Sequence, residues 1–206
     1  ELLDKSIAGL KIVTCHMGNG SSITAVEGGK SVDTSLGFST VPGILMGTRA
    51  GDLDPVMLLH LMEQEGITPK AMSHILHKES GLLGISGISS DLRDIEEAAS
   101  TGNERATLAL EMLCYGVRKY IAAYAAAMGG IDAVVFTAGI GENSVLVRQM
   151  VCEGLEFLGA KLDVEKNNVR GKETVVSTDD SRVKILVVPT NEELVIARDT
   201  KTLVKA

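Results

Sequence analysis

The chain lacks the residues that mark several common classes of protein. It contains three cysteines, no tryptophan, three tyrosines and three phenylalanines. Cys15, Cys114 and Cys152 are scattered, odd in number and without a CxxC pair, so the sequence indicates neither a disulfide framework nor a zinc site. We expect each cysteine to be a small buried apolar side chain in a reducing cytoplasm.

A surplus of positive charge and a long uncharged apolar segment are also absent. The formal net charge is −7, which disfavours nucleic acid as the main partner because a phosphate backbone requires a basic face. ATP is still compatible with this charge, since a few local arginines and backbone N–H groups suffice for a small anion. The most apolar stretch, residues 115–131, carries Arg118 and Lys119 near its start, so it predicts a core helix and no membrane span.

Glycine, in contrast, is plentiful, and two glycine turns carry much of the functional information. The first, at residues 15–20, closes the apolar run 10–14, and the second, at residues 137–143, closes the run 133–136. A strand that ends in glycines lets the backbone approach a ligand closely, with N–H groups turned toward it. Two such turns, the second followed by a helix, predict a nucleotide at the open ends of a sheet.

The order of the remaining elements predicts the fold class. Strand-like runs at 10–14, 22–26 and 30–34 come first, the last two joined by a Gly-Gly hairpin. Helices follow at about 54–65, 69–77, from 91, 103–128, 143–158 and from 191, with strands at 133–137 and 183–188 and a Gly/Ser loop at 80–90. This order favours an α/β fold with a mixed sheet and flanking helices, of the actin/hexokinase-like (ribonuclease H-like) ATPase type. A dinucleotide-binding fold would instead place a helix directly after the first glycine turn.

The longest predicted helix has one continuous apolar stripe. Its members recur at spacings of three and four residues: Ala106, Ala109, Leu110, Leu113, Val117, Tyr120, Ile121, Tyr124 and Met128. The stripe offers more apolar surface than one sheet face needs, which suggests a role in dimerisation, and the alternative is that it only fills the chain's own core.

Five segments, in order and over almost the whole chain, resemble motifs of the acetate kinases. They are residues 16–22 (HMGNGSS), 46–55 (MGTRAGDLDP), 89–94 (SSDLRD), 136–143 (FTAGIGEN) and 189–194 (PTNEEL). Acetate kinases are about twice as long, so residues 1–206 resemble their C-terminal nucleotide-binding domain. Since the chain begins with Glu1 close to a strand, we expect it to be a piece of a longer protein, with a terminal helix at about 190–206 that packs toward the preceding domain.

The resemblance implies three segments that bind nucleotide. The first is a phosphate loop for the β- and γ-phosphates of ATP, formed by His16, Met17, Gly18, Asn19 and Gly20. The second comprises Asp91, Leu92 and Arg93, with the Asp accepting a ribose hydroxyl and the Arg stacking on adenine or reaching phosphate. The third is an adenosine motif, Gly139, Ile140, Gly141, Glu142 and Asn143, where a side chain at either glycine would block the base and ribose.

Each of these segments also has a simpler structural explanation. Residues 16–20 could form a hairpin turn with a surface histidine, and residues 139–143 a plain strand-to-helix turn. Asp91 is suited to capping the N-terminus of a helix, a role compatible with contact to ribose.

The resemblance also implies one catalytic residue and one metal ligand. Arg49 matches the arginine that lies between the two substrates and stabilises the charge that develops on the transferred phosphoryl group. Glu192 matches a C-terminal ligand of Mg²⁺. A lone loop arginine is otherwise more often part of a surface salt bridge, and an acid in the first turn of a helix is favoured by the helix dipole alone.

The activity implied for the full-length protein is reversible transfer of the γ-phosphoryl of ATP to acetate, giving acetyl phosphate and ADP, by a cytoplasmic homodimer. We expect the chain alone to bind nucleotide without turnover, because the resemblance assigns the acetate pocket and further catalytic residues to the preceding half. A propionate or butyrate kinase is the first alternative. A non-catalytic, actin-like nucleotide-binding module is the second, and Arg49 and Glu192 disfavour it.

Overall fold

Six strands form one mixed sheet in this computed structural model, which describes residues 2–3 and 5–204. The strands are β1 (Lys11–Met17), β2 (Ser21–Glu27), β3 (Lys30–Thr34), β4 (Ala133–Thr137), β5 (Thr174–Val175) and β6 (Lys184–Val187). Their spatial order is β3-β2-β1-β4-β6-β5. Neighbours pair antiparallel except β1–β4 and β4–β6, which are parallel. This arrangement confirms the predicted α/β core with a mixed sheet.

Nine α-helices connect or flank the strands in the described part of the chain. They are α1 (Pro55–Glu65), α2 (Pro69–His74), α3 (Gly81–Ser86), α4 (Leu92–Ser100), α5 (Glu104–Ala127), α6 (Ala138–Asn143), α7 (Val145–Cys152), α8 (Val164–Asn167) and α9 (Glu192–Val204). A π-helical turn follows α2 at Ile75–Glu79, and 3₁₀ turns occupy Ile7–Gly9 and Glu156–Leu158. Among these residues, no helix has the length and apolar character needed to cross a bilayer.

Most of the predicted elements are present, with several differences. Strand β1 continues to Met17, into the predicted first glycine turn, the predicted helix 69–77 ends in a π-helical turn, and α8 and β5 were not predicted. The Gly/Ser loop predicted at 80–90 contains the short helix α3, and the predicted helix at 143–158 is divided into α7 and a 3₁₀ turn. The second glycine turn is itself helical, as α6, and Ser144 separates it from α7 by capping α7 with its hydroxyl. Residues 205 and 206, the end of the predicted terminal helix, lie outside the described residues.

The core lies on one face of the sheet, beneath α5. Alternate residues of β1 are fully buried there, namely Val13, Cys15 and Met17, because successive side chains of a strand point to opposite faces. Helix α5 packs against β1 and β2 and also against α3, α4 and α7. The apolar stripe predicted for this helix fills that interface: its members are buried, except Tyr120, which is partly buried. The stripe therefore serves the chain's own core and offers no dimer surface.

Parallel pairing of β1 with β4 determines where the site forms. The register places Ile12 opposite Ala133 and His16 opposite Thr137, so both strands end at the same sheet edge. The two glycine turns, which follow these strand ends, therefore lie side by side. Carboxyl ends of adjacent parallel strands are the usual position of ligands in α/β sheets.

All three cysteines are free and buried, as expected for small apolar core residues. Burial raises the pKa of Cys114 and of Cys152 to about 12 and raises that of Cys15 further. Because the thiolate is the reactive form, we predict that native protein at pH 8 does not react with a disulfide reagent such as dithionitrobenzoate, and that unfolded protein releases three equivalents. Rapid modification of the folded chain would contradict this packing.

Candidate functional site

A cleft of about 610 Å³ opens at the carboxyl ends of β1 and β4. Its volume is that of a typical pocket for a small molecule. It is lined by Gly18, Asn19, Ser90, Asp91, Leu92, Arg93, Glu96, Gly139, Ile140, Asn143, Ser144 and Arg170. The structure thus brings together residues from all three segments predicted to bind nucleotide. The fold brings these segments together, since more than a hundred residues separate the first from the third along the chain.

The first glycine turn is a tight connection between β1 and β2. The Gly18 N–H donates to the Ser21 hydroxyl at 3.2 Å and to the Gly20 carbonyl at 3.1 Å, so it is used inside the turn. Gly18 and Asn19 line the cleft, whereas His16 and Met17 belong to β1 and do not. Met17 is fully buried in the core. The part of this loop that faces the cleft is therefore its tip.

Arg49 lies against that tip. A Cβ atom on Gly20 would come 3.0 Å from the guanidinium Nη1 of Arg49, and one on Gly47 would collide with the Asn19 side chain. The Gly47 N–H also donates to the Asn19 carbonyl at 3.2 Å. The Arg49 guanidinium donates weakly to the Thr40 carbonyl at 3.4 Å, and within the described ranges, 2–3 and 5–204, it forms no salt bridge. The surface salt bridge considered as an alternative is therefore not found there.

The first residues of α3 contact and hydrogen-bond the backbone around Arg49. Gly81, at φ +66°, approaches so closely that a Cβ would lie 2.9 Å from the Arg49 carbonyl oxygen and 3.0 Å from its nitrogen. The Leu82 N–H donates to the Met46 carbonyl at 2.8 Å, and the Leu83 N–H to the Gly47 carbonyl at 3.0 Å. This packing explains why glycine occupies the start of α3, and it fixes the loop that carries the arginine.

Asp52, near the C-terminal end of the same loop, stabilises it through two side-chain hydrogen bonds. Its carboxylate accepts from the Gly43 N–H at 2.8 Å and from the Tyr120 hydroxyl at 2.6 Å. Burial, with the bond to Asp52 as a second cause, raises the pKa of Tyr120, so this hydroxyl stays protonated and donating at neutral pH. The loop between β3 and α1 (residues 35–54, the Arg49 loop) is thus connected to the buried helix α5.

Asp91 and Arg93 form an ion pair at the rim of the cleft. Two guanidinium nitrogens of Arg93 donate to the Asp91 carboxylate, at 3.0 Å and 2.6 Å. The same carboxylate caps α4 by accepting the Arg93 N–H at 2.9 Å, which confirms the capping role considered for it. These bonds to Arg93 lower the pKa of Asp91 to about 2. The carboxylate is therefore ionised at neutral pH and keeps acceptor capacity for a ribose hydroxyl.

The two glycines of the second turn have different surroundings. Gly139 lines the cleft, and a Cβ there would meet nothing within 4 Å. Gly141 is buried, and a Cβ there would lie 3.3 Å from the carbonyl carbon of Phe136 and 3.5 Å from the Cys15 carbonyl oxygen. Gly139 therefore leaves space for a ligand, whereas Gly141 permits α6 to pack on the ends of β1 and β4.

The turn also contains a strained residue and a carboxylate that faces away from the cleft. Ala138 has φ +64°, the only positive φ of a non-glycine residue in the described segments. Such conformations cost energy and cluster at ligand-binding turns. The Glu142 carboxylate accepts the Thr190 N–H at 2.8 Å and does not line the cleft.

A buried arginine that no motif predicted, Arg148, donates a hydrogen bond to the backbone of the second glycine turn. Arg148 of α7 is fully buried. Its guanidinium donates to the Gly141 carbonyl at 2.9 Å, to the Asn167 side chain at 2.7 Å and to the main-chain carbonyls of Asn167 and Val169 at 2.8 Å and 2.7 Å. Burial lowers the pKa of Arg148 to about 10, so it remains a cation at pH 7.

Four residues that line the cleft were not among the predicted site residues, namely Ser90, Glu96, Ser144 and Arg170. Glu96 accepts a hydrogen bond from the buried Ser144 hydroxyl, and Arg170 follows the segment that Arg148 holds. The sequence carried a signal for Arg148, which falls within the apolar stripe of α7 between Val147 and Val151. An arginine in such a stripe requires partners, since charged side chains are almost never buried without them. Arg170 and Ser144 lie in no comparable pattern.

Glu192 begins α9, is exposed and does not line the cleft. Within the part of the chain that the structure describes, no three His, Cys, Asp or Glu side chains are grouped to hold a metal. One carboxylate is nevertheless a suitable donor set for Mg²⁺, which is commonly held by one or two carboxylates together with substrate phosphates and water.

Comparison with known proteins identifies relatives over nearly the full chain. The sequence model described as the acetokinase family matches residues 1–198. The acetate kinase of Alkaliphilus metalliredigens is 61% identical over 204 residues, which are 99% of this chain and 52% of that protein. The chain thus spans about half the length of the curated relatives it matches.

Solved structures give a consistent result. The crystal structure of Porphyromonas gingivalis acetate kinase matches with a TM-score of 0.96 at 50% identity, covering 98% of this chain and 51% of that one. The structure of a propionate kinase from Francisella tularensis matches with a TM-score of 0.88 at 39% identity, covering 95% of this chain and 50% of that one.

The contrast between the two glycines yields a matched test. We predict that Gly139→Val changes the melting temperature by less than about 2 °C, because its side chain meets open space, yet abolishes the stabilisation by ADP. Gly141→Val should destabilise the ligand-free fold by about 1–3 kcal/mol, because it forces the backbones apart. Thermal unfolding with and without Mg²⁺-ADP measures both effects. An intact ADP response in Gly139→Val would mean that adenosine binds elsewhere.

Arg148 should matter for stability in proportion to the acceptors that it satisfies. We predict that Arg148→Met lowers the free energy of unfolding by about 2–4 kcal/mol, because several buried acceptors lose their donor. Urea denaturation followed by circular dichroism gives the value. The matched control is Arg198→Met on the exposed helix α9, for which we expect a change within about 0.5 kcal/mol. Equal effects of the two substitutions would contradict the assigned network.

Proposed function

The chain belongs to the acetokinase family, and on that premise we propose that the protein is an ATP-dependent acetate kinase that forms acetyl phosphate and ADP in a reversible reaction. The proposed role of this chain is to hold the nucleotide in the cleft at the ends of β1 and β4. The observation that best supports the proposal is the position of Arg49, whose guanidinium lies against the tip of the first glycine turn. A binding module without chemistry has no need of an arginine held there.

The proposed binding mode follows the layout of the cleft. Gly18 and Asn19 line one part, next to Gly20 and Arg49, and this part would take the phosphates. The adenosine would lie over Gly139 and Ile140, where no side chain fills the space. Asp91 would accept a ribose hydroxyl, and Arg93, already oriented by that carboxylate, would stack on the base or reach phosphate.

In the proposed reaction, a carboxylate oxygen of acetate attacks the γ-phosphorus in line, and the bond from that phosphorus to the β,γ-bridging oxygen breaks. Negative charge then spreads over the equatorial oxygens of the phosphoryl group and onto the departing ADP. Arg49 would stabilise this charge through the two parallel donors of its planar guanidinium. Mg²⁺, which Glu192 is proposed to help bind, would neutralise phosphate charge when it is present with the nucleotide.

Several finer features remain proposals of the same kind. We propose cytoplasmic location, supported by three free cysteines, and docking of α9 on another domain, supported by its fully exposed surface.

We also propose a homodimer. Its surface cannot be the buried stripe of α5, but the outer face of that helix exposes Leu108, Met112 and Tyr115 at helical spacing. Propionate is the second candidate acceptor, since a propionate kinase is among the similar structures.

The test of the proposal is a kinetic analysis of Arg49 in a chimera that joins this chain to the preceding half of an acetate kinase relative. We predict that Arg49→Ala lowers kcat by roughly 10²–10³-fold, the scale of losing one preorganised donor to developing charge. KM for ATP should change little, since adenosine binding does not involve this side chain. Arg49→Lys should recover only part of the rate, because an ammonium lacks the planar pair of donors.

Steady-state measurement of acetyl phosphate formation, with ATP and acetate varied separately, separates the outcomes. A chimera without activity whose relative is active would contradict the proposed function. A large rise in KM with kcat intact would contradict the catalytic role of Arg49 and assign it to substrate binding.

A further inference from the structure

The connection between β6 and α9 is hydrogen-bonded to both ends of the second glycine turn, residues 137–143, which we call the nucleotide turn. Thr190, in this connection, accepts the Ala138 N–H with its hydroxyl at 3.2 Å, and the same hydroxyl lies 2.9 Å from that of Thr137. The Thr190 N–H donates to the Glu142 carboxylate at 2.8 Å. Thr190 is therefore attached to the residues where α6 begins and to the side chain of a residue near its end.

Helix α9 has little else to determine its direction. All of its residues are exposed, so no apolar side chain packs it onto the described body of the chain. Its first turn is capped locally, by the Asn191 side chain accepting the Leu194 N–H at 3.0 Å. The direction in which α9 leaves the sheet is consequently set at Thr190.

The nucleotide turn lies between the two attachment points. Gly139 and Ile140 line the cleft, and Ala138 is held at φ +64°, a conformation that costs energy and persists only where its surroundings impose it. A ligand resting on Gly139 and Ile140 would favour one position of α6. Because both ends of α6 are hydrogen-bonded to Thr190, a change in the position of α6 would be transmitted to the start of α9. The first residue of α9 is Glu192, two residues after Thr190.

We propose that Glu142 is a positioning residue, whose carboxylate fixes the Thr190 N–H and thereby couples occupation of the nucleotide turn to the placement of Glu192. The inference rests on the proposed function, because it takes Glu192 as a ligand of the Mg²⁺ that accompanies the nucleotide. It differs from the expectation that Glu142 contacts the nucleotide, since its carboxylate points to Thr190 and does not line the cleft.

Three variants of the chain test this coupling. Glu142→Ala removes the acceptor, and Glu142→Gln retains one acceptor oxygen in the same place and should behave like wild type. Glu173→Ala is the matched control, since Glu173 is an exposed acid remote from Thr190 in the sequence. All three should keep the wild-type far-ultraviolet circular dichroism spectrum.

The first measurement is amide hydrogen exchange in the segment 188–196 without ligand. We expect exchange in Glu142→Ala to be faster by about tenfold, the scale of losing one charge-assisted hydrogen bond. Adding ADP should slow exchange in this segment in wild type and in Glu142→Gln, but not in Glu142→Ala. Unchanged exchange in ligand-free Glu142→Ala would overturn the proposal, because the carboxylate would then not hold Thr190.

The second measurement is calorimetric titration of ADP with and without Mg²⁺. We expect Glu142→Ala to lose most of the gain in ADP affinity that Mg²⁺ confers, while its metal-free affinity stays within about twofold of wild type. A loss of metal-free affinity in Glu142→Ala would overturn the proposal by making Glu142 a nucleotide contact. An unchanged Mg²⁺ effect would overturn it with the proposed function intact. Failure of wild type to bind ADP at all would instead overturn the proposed function, and this inference with it.

Discussion

The parallel pairing of β1 with β4 is the constraint on which the rest of the site depends. These strands are separated by more than a hundred residues along the chain, yet their register aligns His16 with Thr137. The two glycine turns that follow them therefore lie at the same edge of the sheet. Helix α5, which precedes β4 in the chain, packs against β1 and β2 and so covers one face of the sheet. Burial of Val13, Cys15 and Met17 under α5 fixes the register, because a shift by one residue would turn these side chains to the other face.

Close backbone approach then determines the finer geometry around Arg49. Side chains are excluded at Gly47 and Gly81, where a Cβ atom would collide with the Asn19 side chain and with the Met46 carbonyl oxygen, respectively. Backbone hydrogen bonds, from Gly47 to Asn19 and from Leu82 to Met46, join the first glycine turn, the Arg49 loop and the start of α3. These contacts fix the backbone that carries Arg49, whose guanidinium donates weakly to the Thr40 carbonyl beside the first glycine turn.

The sequence was sufficient for the elements whose pattern is local. The bounds of β3 and β4 agree with prediction, and α5 differs by one residue at each end, because alternation, helical spacing and Gly129-Gly130 are all readable along the chain. Helix α3 was missed because Gly81 and Gly84 disfavour a helix, whereas tertiary contact with the Arg49 loop determines the structure there. The motifs found most of the cleft. They did not reveal which way each residue faces: Glu142 turns to Thr190, and Gly141 packs against backbone.

The buried guanidinium of Arg148 has a consequence for how the domain comes apart. Its acceptors belong to α6 and to the segment 167–169, so its charge is solvated by protein only when both are in place. Detaching either one alone would leave a cation facing an apolar interior, which is far less favourable than exposing it to water. Partly opened forms of this region are therefore unfavourable, and the floor of the cleft should open as a single cooperative unit.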